Sequence, residues 1–218
     1  MQIELKAPIF YLITSGLATN QTLEADCVRI LGLIETAVAA GISLVQLREN
    51  NLSALSLCEL TRRAALLTSR SSTRLLVNDR ADIARAAGAD GVHLTSRSLE
   101  AGLIRNCFGE EILIGVSTHS MEEARAARDQ EADFAVFGPI FDTPSKRVFG
   151  LPLGTDTLRD ATLALKPFPL VAIGGITPEN AALAFEAGAS GVAAIRAFGK
   201  PQDLKETVLA IQRGANLM

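Results

Sequence analysis

Four polar clusters close or follow otherwise apolar runs, and their residue types suit chemistry on an anionic small molecule. Gln46 and Arg48 stand two apart in Val45-Gln46-Leu47-Arg48-Glu49, so strand alternation puts both on one side, opposite Leu47. An inward amide and guanidinium need partners, because burying them unpaired costs several kcal/mol. A polar ligand would supply those partners, and so would a nearby carboxylate such as Asp79. Asn78-Asp79 and Ser117-Thr118-His119 end later runs in the same manner, and the loop after the sixth run holds Thr143-Pro144-Ser145-Lys146. His119, just past an apolar run, is the proton-transfer candidate, since an imidazole titrates near neutral pH. His93 falls inside a run, where hydrogen-bonded packing is the expectation. With no Cys/His cluster, a metal would be Mg2+ held by carboxylate, and Asp79 is placed to hold it.

A different chemistry is suggested by Ile173-Gly174-Gly175-Ile176 and Ala194-Ile195-Arg196-Ala197. Glycines let backbone N–H groups come close to an anion, and a helix N-terminus adds favourable partial charge. The same glycines could simply make a tight turn. Arg196 either adds charge to such a phosphate site or points away from it.

Elements able to position these clusters are legible as eight apolar, β-rich runs at residues 9–14, 44–49, 74–79, 91–95, 113–118, 134–140, 169–175 and 191–196. Helical spacing of Leu, Ile and Ala fills the intervals, as over 52–67, 121–130 and 178–187. Alternating strand and helix implies a parallel sheet, and eight units predict one (β/α)8 barrel domain over residues 1–218. An open dinucleotide-binding sheet would carry GxGxxG after its first strand, whereas Ser15-Gly16-Leu17 follows here. A barrel gathers the C-terminal ends of its strands, and with them all the clusters, at one mouth, with phosphate held after strands seven and eight. Ala87-Gly88-Ala89-Asp90-Gly91-Val92 recurs as Ala187-Gly188-Ala189-Ser190-Gly191-Val192, with echoes at Ala40-Gly41 and Ala132-Asp133, before every second strand. Duplicated βαβ units would leave this period, and so would a recurrent helix-to-strand turn.

Composition excludes several partners. The 218 residues carry a net charge of −3 with no basic run, which leaves no electrostatic footprint for nucleic acid. No apolar stretch approaches the roughly 18 residues that span a bilayer, and residues 1–8 lack the pattern of a secretory signal. A cytoplasmic protein without membrane contact is expected, acting on a phosphorylated small molecule and assembling as a homo-oligomer. Cys27, Cys58 and Cys107 have no CxxC spacing and are read as small core residues.

VQLRE at 45–49, VND at 77–79, ADGVHL at 89–94, GVSTHS at 115–120, FGPIFDTPSK at 137–146 and AIGGITPENA at 172–181 follow one another in an order that resembles the thiamine phosphate synthase and TenI superfamily. Synthases of this kind are (β/α)8 barrels that join a pyrimidine diphosphate to a thiazole phosphate, expelling pyrophosphate with Mg2+; the related tautomerases bind the thiazole phosphate and move a proton. The resemblance implies Gln46 for the pyrimidine, Arg48, Asn78, Ser117 and Lys146 for diphosphate, Asp79 for Mg2+, and Thr143 and Ser145 for loop contacts. It places the thiazole phosphate on amides around Gly174, Gly175, Ile195 and Arg196. Two departures stand out. Asn50 replaces the lysine that usually follows VQLRE, and Thr95-Ser96-Arg97-Ser98 replaces Gly-Gln-Glu-Asp, putting Ser98 where synthases carry a second metal carboxylate. Losing one such charge contact typically costs ~3–4 kcal/mol of barrier, so the leading expectation is an isomerase of the thiazole tautomerase type using His119. A synthase and a non-catalytic phosphate binder are the alternatives.

Overall fold

The computed structural model describes residues 5–142 and 151–217. Eight parallel strands, β1 (Ile9–Ile13), β2 (Leu44–Leu47), β3 (Arg74–Asn78), β4 (Gly91–Leu94), β5 (Leu113–Thr118), β6 (Phe134–Phe137), β7 (Leu170–Ile173) and β8 (Gly191–Ala194), close into a barrel in sequence order. Phe10 pairs with Val192 to seal it. Helices α1 (Leu23–Ala39), α2 (Ala54–Thr68), α3 (Ala81–Ala87), α4 (Ala101–Phe108), α5 (Met121–Asp129), α6 (Gly154–Leu165), α7 (Ala181–Glu186) and α8 (Pro201–Gly214) follow the strands in turn. The expected (β/α)8 barrel is therefore present.

Alternation along each strand divides the apolar residues into two layers. Ile9, Tyr11, Ile13, Leu44, Leu76, Leu113, Phe134, Val136, Val171 and Ala193 fill the barrel interior. Phe10, Leu12, Val45, Leu47, Leu75, Ala135, Phe137 and Val192 face the helices instead. In α1 the stripe Cys27, Ile30, Leu31, Ile34 and Ala37 has the 3–4 spacing that presents one face to the strands. Ser53 and Ser120 start α2 and α5 by accepting from the N–H three residues on. The three cysteines are free and do not share one environment: Cys27 is buried, but Cys107 is exposed. Ala101, Ile104 and Arg105 are the buried face of α4, and Cys107 falls off it.

The repeat read from the sequence has a common geometry at every even strand. Gly41, Gly88, Glu131 and Gly188 all take left-handed backbone, at φ 75, 77, 62 and 91°. The next N–H returns to the preceding helix in each case: Ile42 to Ala37, Ala89 to Ala84, Ala132 to Ala127 and Ala189 to Ala184. One residue later, Ser43, Asp90, Asp133 and Ser190 donate to Phe10, Leu75, Ile114 and Leu170 of the preceding odd strand. Ser43, Asp90 and Asp133 also accept that strand residue's N–H through their side chains. The sequence echoes thus mark a two-strand structural unit used four times.

Candidate active site

The C-terminal mouth is built first by β2. Gln46 is buried inside the barrel, Leu47 faces the helices, and Arg48 follows just past the end of the strand, half-buried. Arg48 lies under the β1–α1 connection: a Cβ on Gly16, whose φ is 77°, would come within 3.0 Å of Arg48 Nη1. That connection is held by Glu49, whose buried carboxylate accepts from the N–H groups of Gly16 (3.2 Å) and Ala18 (2.9 Å). The suggested Arg48–Asp79 ion pair does not form, and no carboxylate among the described residues pairs with Arg48.

Next to it, β3 ends in Asn78, which donates to Asn50 Oδ1 at 3.3 Å. Asp79 is exposed, and its φ of 61° is unusual for a non-glycine residue; its N–H donates to His93 O. Strain of this sort is tolerated where the surrounding ladder fixes the residue. No cluster of three metal-ligating side chains occurs among the described residues. Ser98 accepts from Thr95 N–H at 2.7 Å, which closes the turn after β4. Mg2+ characteristically uses one or two carboxylates plus substrate phosphate oxygens and water, and a lone Asp79 carboxylate fits that manner of binding. Two arginines flank this part of the mouth in sequence: Arg80 is committed to Asp82 through two contacts of 2.8 and 2.6 Å, whereas Arg97 is exposed and forms no ion pair among the described residues.

Inside the barrel the sequence reading missed a continuous polar chain. Gln46 Nε2 donates to the Tyr11 hydroxyl at 2.8 Å, that hydroxyl lies 3.1 Å from His93 Nδ1, and His93 Nε2 lies 2.8 Å from Ser117 Oγ. His93, taken as hydrogen-bonded packing, is that and also the link to Ser117. Burial lowers its pKa from the usual 6.5 to about 3, and pushes the Tyr11 phenol up despite the Gln46 bond. Tyr11, His93 and Phe134 pack with ring centroids 5.7–6.2 Å apart. Gly115 makes room for them, since a Cβ there would lie 2.8 Å from His93 Nδ1 and 2.4 Å from Phe134. The available signal was the chain's single tyrosine, two residues from Ile9 and Ile13 on an inward-facing register.

His119 stands apart from this chain. Its side chain is 52% exposed, and both its N–H (2.6 Å) and Nδ1 (3.3 Å) contact Glu123, within the cap of α5. Thr143, Ser145 and Lys146 lie outside the described residues.

Across the mouth, Gly174 and Gly175 have φ values of 96 and 64°, and Cβ atoms there would come within 2.5 Å of Pro139 and 2.6 Å of Asp142. Close packing on the loop after β6 thus accounts for these glycines as a turn. The turn still leaves donors: the N–H groups of Gly175 and Arg196 have no acceptor among the described residues. Ile195 and Arg196 are exposed just beyond β8. The helices that follow begin further along the chain, α8 at Pro201 and the six-residue α7 at Ala181; Asn180 does not cap α7 but ties the turn together, accepting from Thr177 N–H and donating to Gly175 O, both at 2.8 Å.

Strand order and mouth together define a (β/α)8 barrel whose polar donors gather at the C-terminal ends of the strands. Within that class the chain belongs to the thiamine monophosphate synthase family, whose sequence profile matches residues 11–198. It is similar to a Geobacter sulfurreducens protein provisionally named as a thiamine-phosphate synthase, with 46% identity over 182 residues covering 84% of this chain and 85% of that one. The thiamine-phosphate synthase of Chlorobium luteolum is 40% identical over 184 residues, 83% of this chain and 86% of the relative. Among solved structures, thiamine phosphate pyrophosphorylase from Pyrococcus furiosus superposes with a TM-score of 0.78 at 27% identity, covering 96% of each chain.

Proposed function

We propose that the protein is a thiamine-phosphate synthase, a transferase that joins a pyrimidine diphosphate to a thiazole phosphate and releases pyrophosphate. This departs from the isomerase expected from His119. The relatives carry the transferase name, and His119 is engaged in a helix cap at the rim. The observation that carries the reading is Arg48, half-buried just past β2 under the β1–α1 connection, with no carboxylate partner among the described residues. A half-buried guanidinium without a carboxylate partner is suited to an anionic ligand, which it can grip through two parallel N–H donors.

In the reaction the carbon–oxygen bond to the diphosphate breaks, a bond from that carbon to the thiazole forms, and negative charge collects on the leaving diphosphate. Arg48, Asn78 and Ser117, with Lys146 from the loop after β6, are assigned to that diphosphate, and Gln46 to the pyrimidine. Thr143 and Ser145 contribute loop contacts. The amides of Gly174, Gly175, Ile195 and Arg196 hold the thiazole phosphate, which fixes the nucleophile opposite the leaving group. Asp79 would hold Mg2+ against the diphosphate, where the ion would neutralise developing charge. Preorganised donors aimed at that charge are worth the most where water is excluded.

Incubating the purified protein with Mg2+ and both substrates tests the reading. Thiamine phosphate and pyrophosphate in equal amounts are expected, with Arg48→Met reducing turnover by about a hundredfold or more. Absence of product overturns it.

A further inference from the structure

Resting on the transferase reading, we propose that Tyr11 and His93 are positioning residues that carry a fixed hydrogen-bond polarity from Gln46 to Ser117, so that the Ser117 hydroxyl proton is presented to an anionic group of the ligand.

The chain of contacts has two self-consistent polarities. Gln46 Nε2 donates to the Tyr11 oxygen, so the single phenolic proton is left for His93 Nδ1, 3.1 Å away. A neutral imidazole that accepts at Nδ1 carries its proton on Nε2, and that proton goes to Ser117 Oγ at 2.8 Å. Ser117 then accepts from within the barrel and keeps its own proton for the mouth. In the reverse polarity Ser117 would donate inward to Nε2 and offer only lone pairs outward, which would repel a diphosphate.

The geometry restrains every member of the chain. Tyr11, Gln46 and His93 are all at most 2% exposed, so water does not compete for their bonds. Phe134 and the missing side chain at Gly115 hold the imidazole plane. Ser117 is the first member of the chain that is not fully buried, and it is the one on the strand leading to the mouth. Burial of three polar side chains on an apolar barrel axis is costly unless each is satisfied, and here the satisfied arrangement also orients a donor.

The chain has two histidines, so the full-length protein labelled with 15N-histidine gives two ring systems, with exposed His119 as the internal reference. Long-range 1H–15N correlation at neutral pH is expected to show His93 with its proton on Nε2 only. A proton on Nδ1 overturns the proposal. Binding of inorganic pyrophosphate with Mg2+, followed by calorimetry, supplies the second measurement. Ser117→Ala is expected to weaken it about tenfold and the near-isosteric Tyr11→Phe about threefold. The double variant should be no weaker than Ser117→Ala alone, because Tyr11 acts through the serine. Additive losses overturn the proposal. Wild-type protein that binds no pyrophosphate overturns the transferase reading, and the polarity then stands or falls on the His93 tautomer.

Discussion

Asn78 Nδ2 donates to Asn50 Oδ1 at 3.3 Å across the ends of β2 and β3, so two neutral carboxamides meet where the family resemblance puts a lysine beside an asparagine. The pair is exposed and long, and such a bond contributes about 0.5–1 kcal/mol at most. A charge-assisted contact to a diphosphate is worth more, about 1.5–3 kcal/mol.

Asn50→Lys should therefore gain more than it loses. Affinity for Mg2+–pyrophosphate is expected to rise about fivefold or more, and turnover should rise with it if diphosphate departure limits the rate. Calorimetric titration checks the first expectation; an unchanged dissociation constant would show that position 50 does not reach the diphosphate.

Ser98 presents a second substitution of this sort. Its hydroxyl accepts from Thr95 N–H at 2.7 Å, and an aspartate can keep that bond with one oxygen while offering the other to a metal. Ser98→Asp is expected to lower the Mg2+ concentration for half-maximal turnover by several-fold, since two carboxylates hold the ion better than one. Asp79→Asn should raise it. A magnesium dependence indifferent to both would separate the metal from these two positions.

Stability offers a cleaner test of the repeat. Among the four equivalent helix exits, Glu131 alone holds the left-handed conformation with a side chain, which costs roughly 1–2 kcal/mol per residue. Glu131→Gly removes that cost and adds part of glycine's chain entropy. A net gain of about 0.5–1 kcal/mol follows, raising the melting temperature by about 1–4 °C. At Gly188 the opposite holds, because a Cβ would lie 2.7 Å from Thr162 Oγ1. Gly188→Ala should destabilise by more than Glu131→Gly stabilises.

Periodicity made all eight strands legible, and the errors fall at their C-terminal ends. Runs read as continuing to Glu49, Asp79, Gly175 and Arg196 stop at Leu47, Asn78, Ile173 and Ala194. Composition remains strand-like there while the chain has already turned, through left-handed Asp79 and Gly174 for instance, and those turned residues make the mouth. The placement of Gln46 inside the barrel followed from alternation. Tyr11 did not, because a tyrosine between Phe10 and Leu12 reads as apolar until Gln46 and His93 are known to converge on its hydroxyl. His119 drew attention through its titration range, while the signal that Glu123 would draw it into a helix cap lay in the capping-box spacing of Ser120-Met121-Glu122-Glu123. Arg48 remained open between ligand and ion pair, since only three-dimensional placement could show Asp79 out of partnership with it.

Acidification should single out His93. Its folded pKa, lowered by burial to about 3, lies below the unfolded value of 6.5, so between these limits the unfolded chain binds a proton that the native protein refuses. Stability then rises with pH in this window and is lost as pH falls below about 6.5, by up to about 1.4 kcal/mol per pH unit for one proton. Asp133 acts in the opposite sense: burial chiefly raises its pKa, so acidification relieves a cost there. Asp26, Asp82, Glu122 and Glu179 have lowered values, and their stabilising contributions are lost only below the usual carboxylate range. From pH 6.5 to 5 the loss therefore comes mainly from His93, about 1.6 kcal/mol in all, because the unfolded histidine is only half protonated at the upper limit. Urea midpoints measured across this interval should fall for the wild type. In His93→Gln they should start lower, because the bonds to Tyr11 and Ser117 are remade imperfectly, but stay nearly flat. An equally steep decline in the variant would assign the proton uptake to another group.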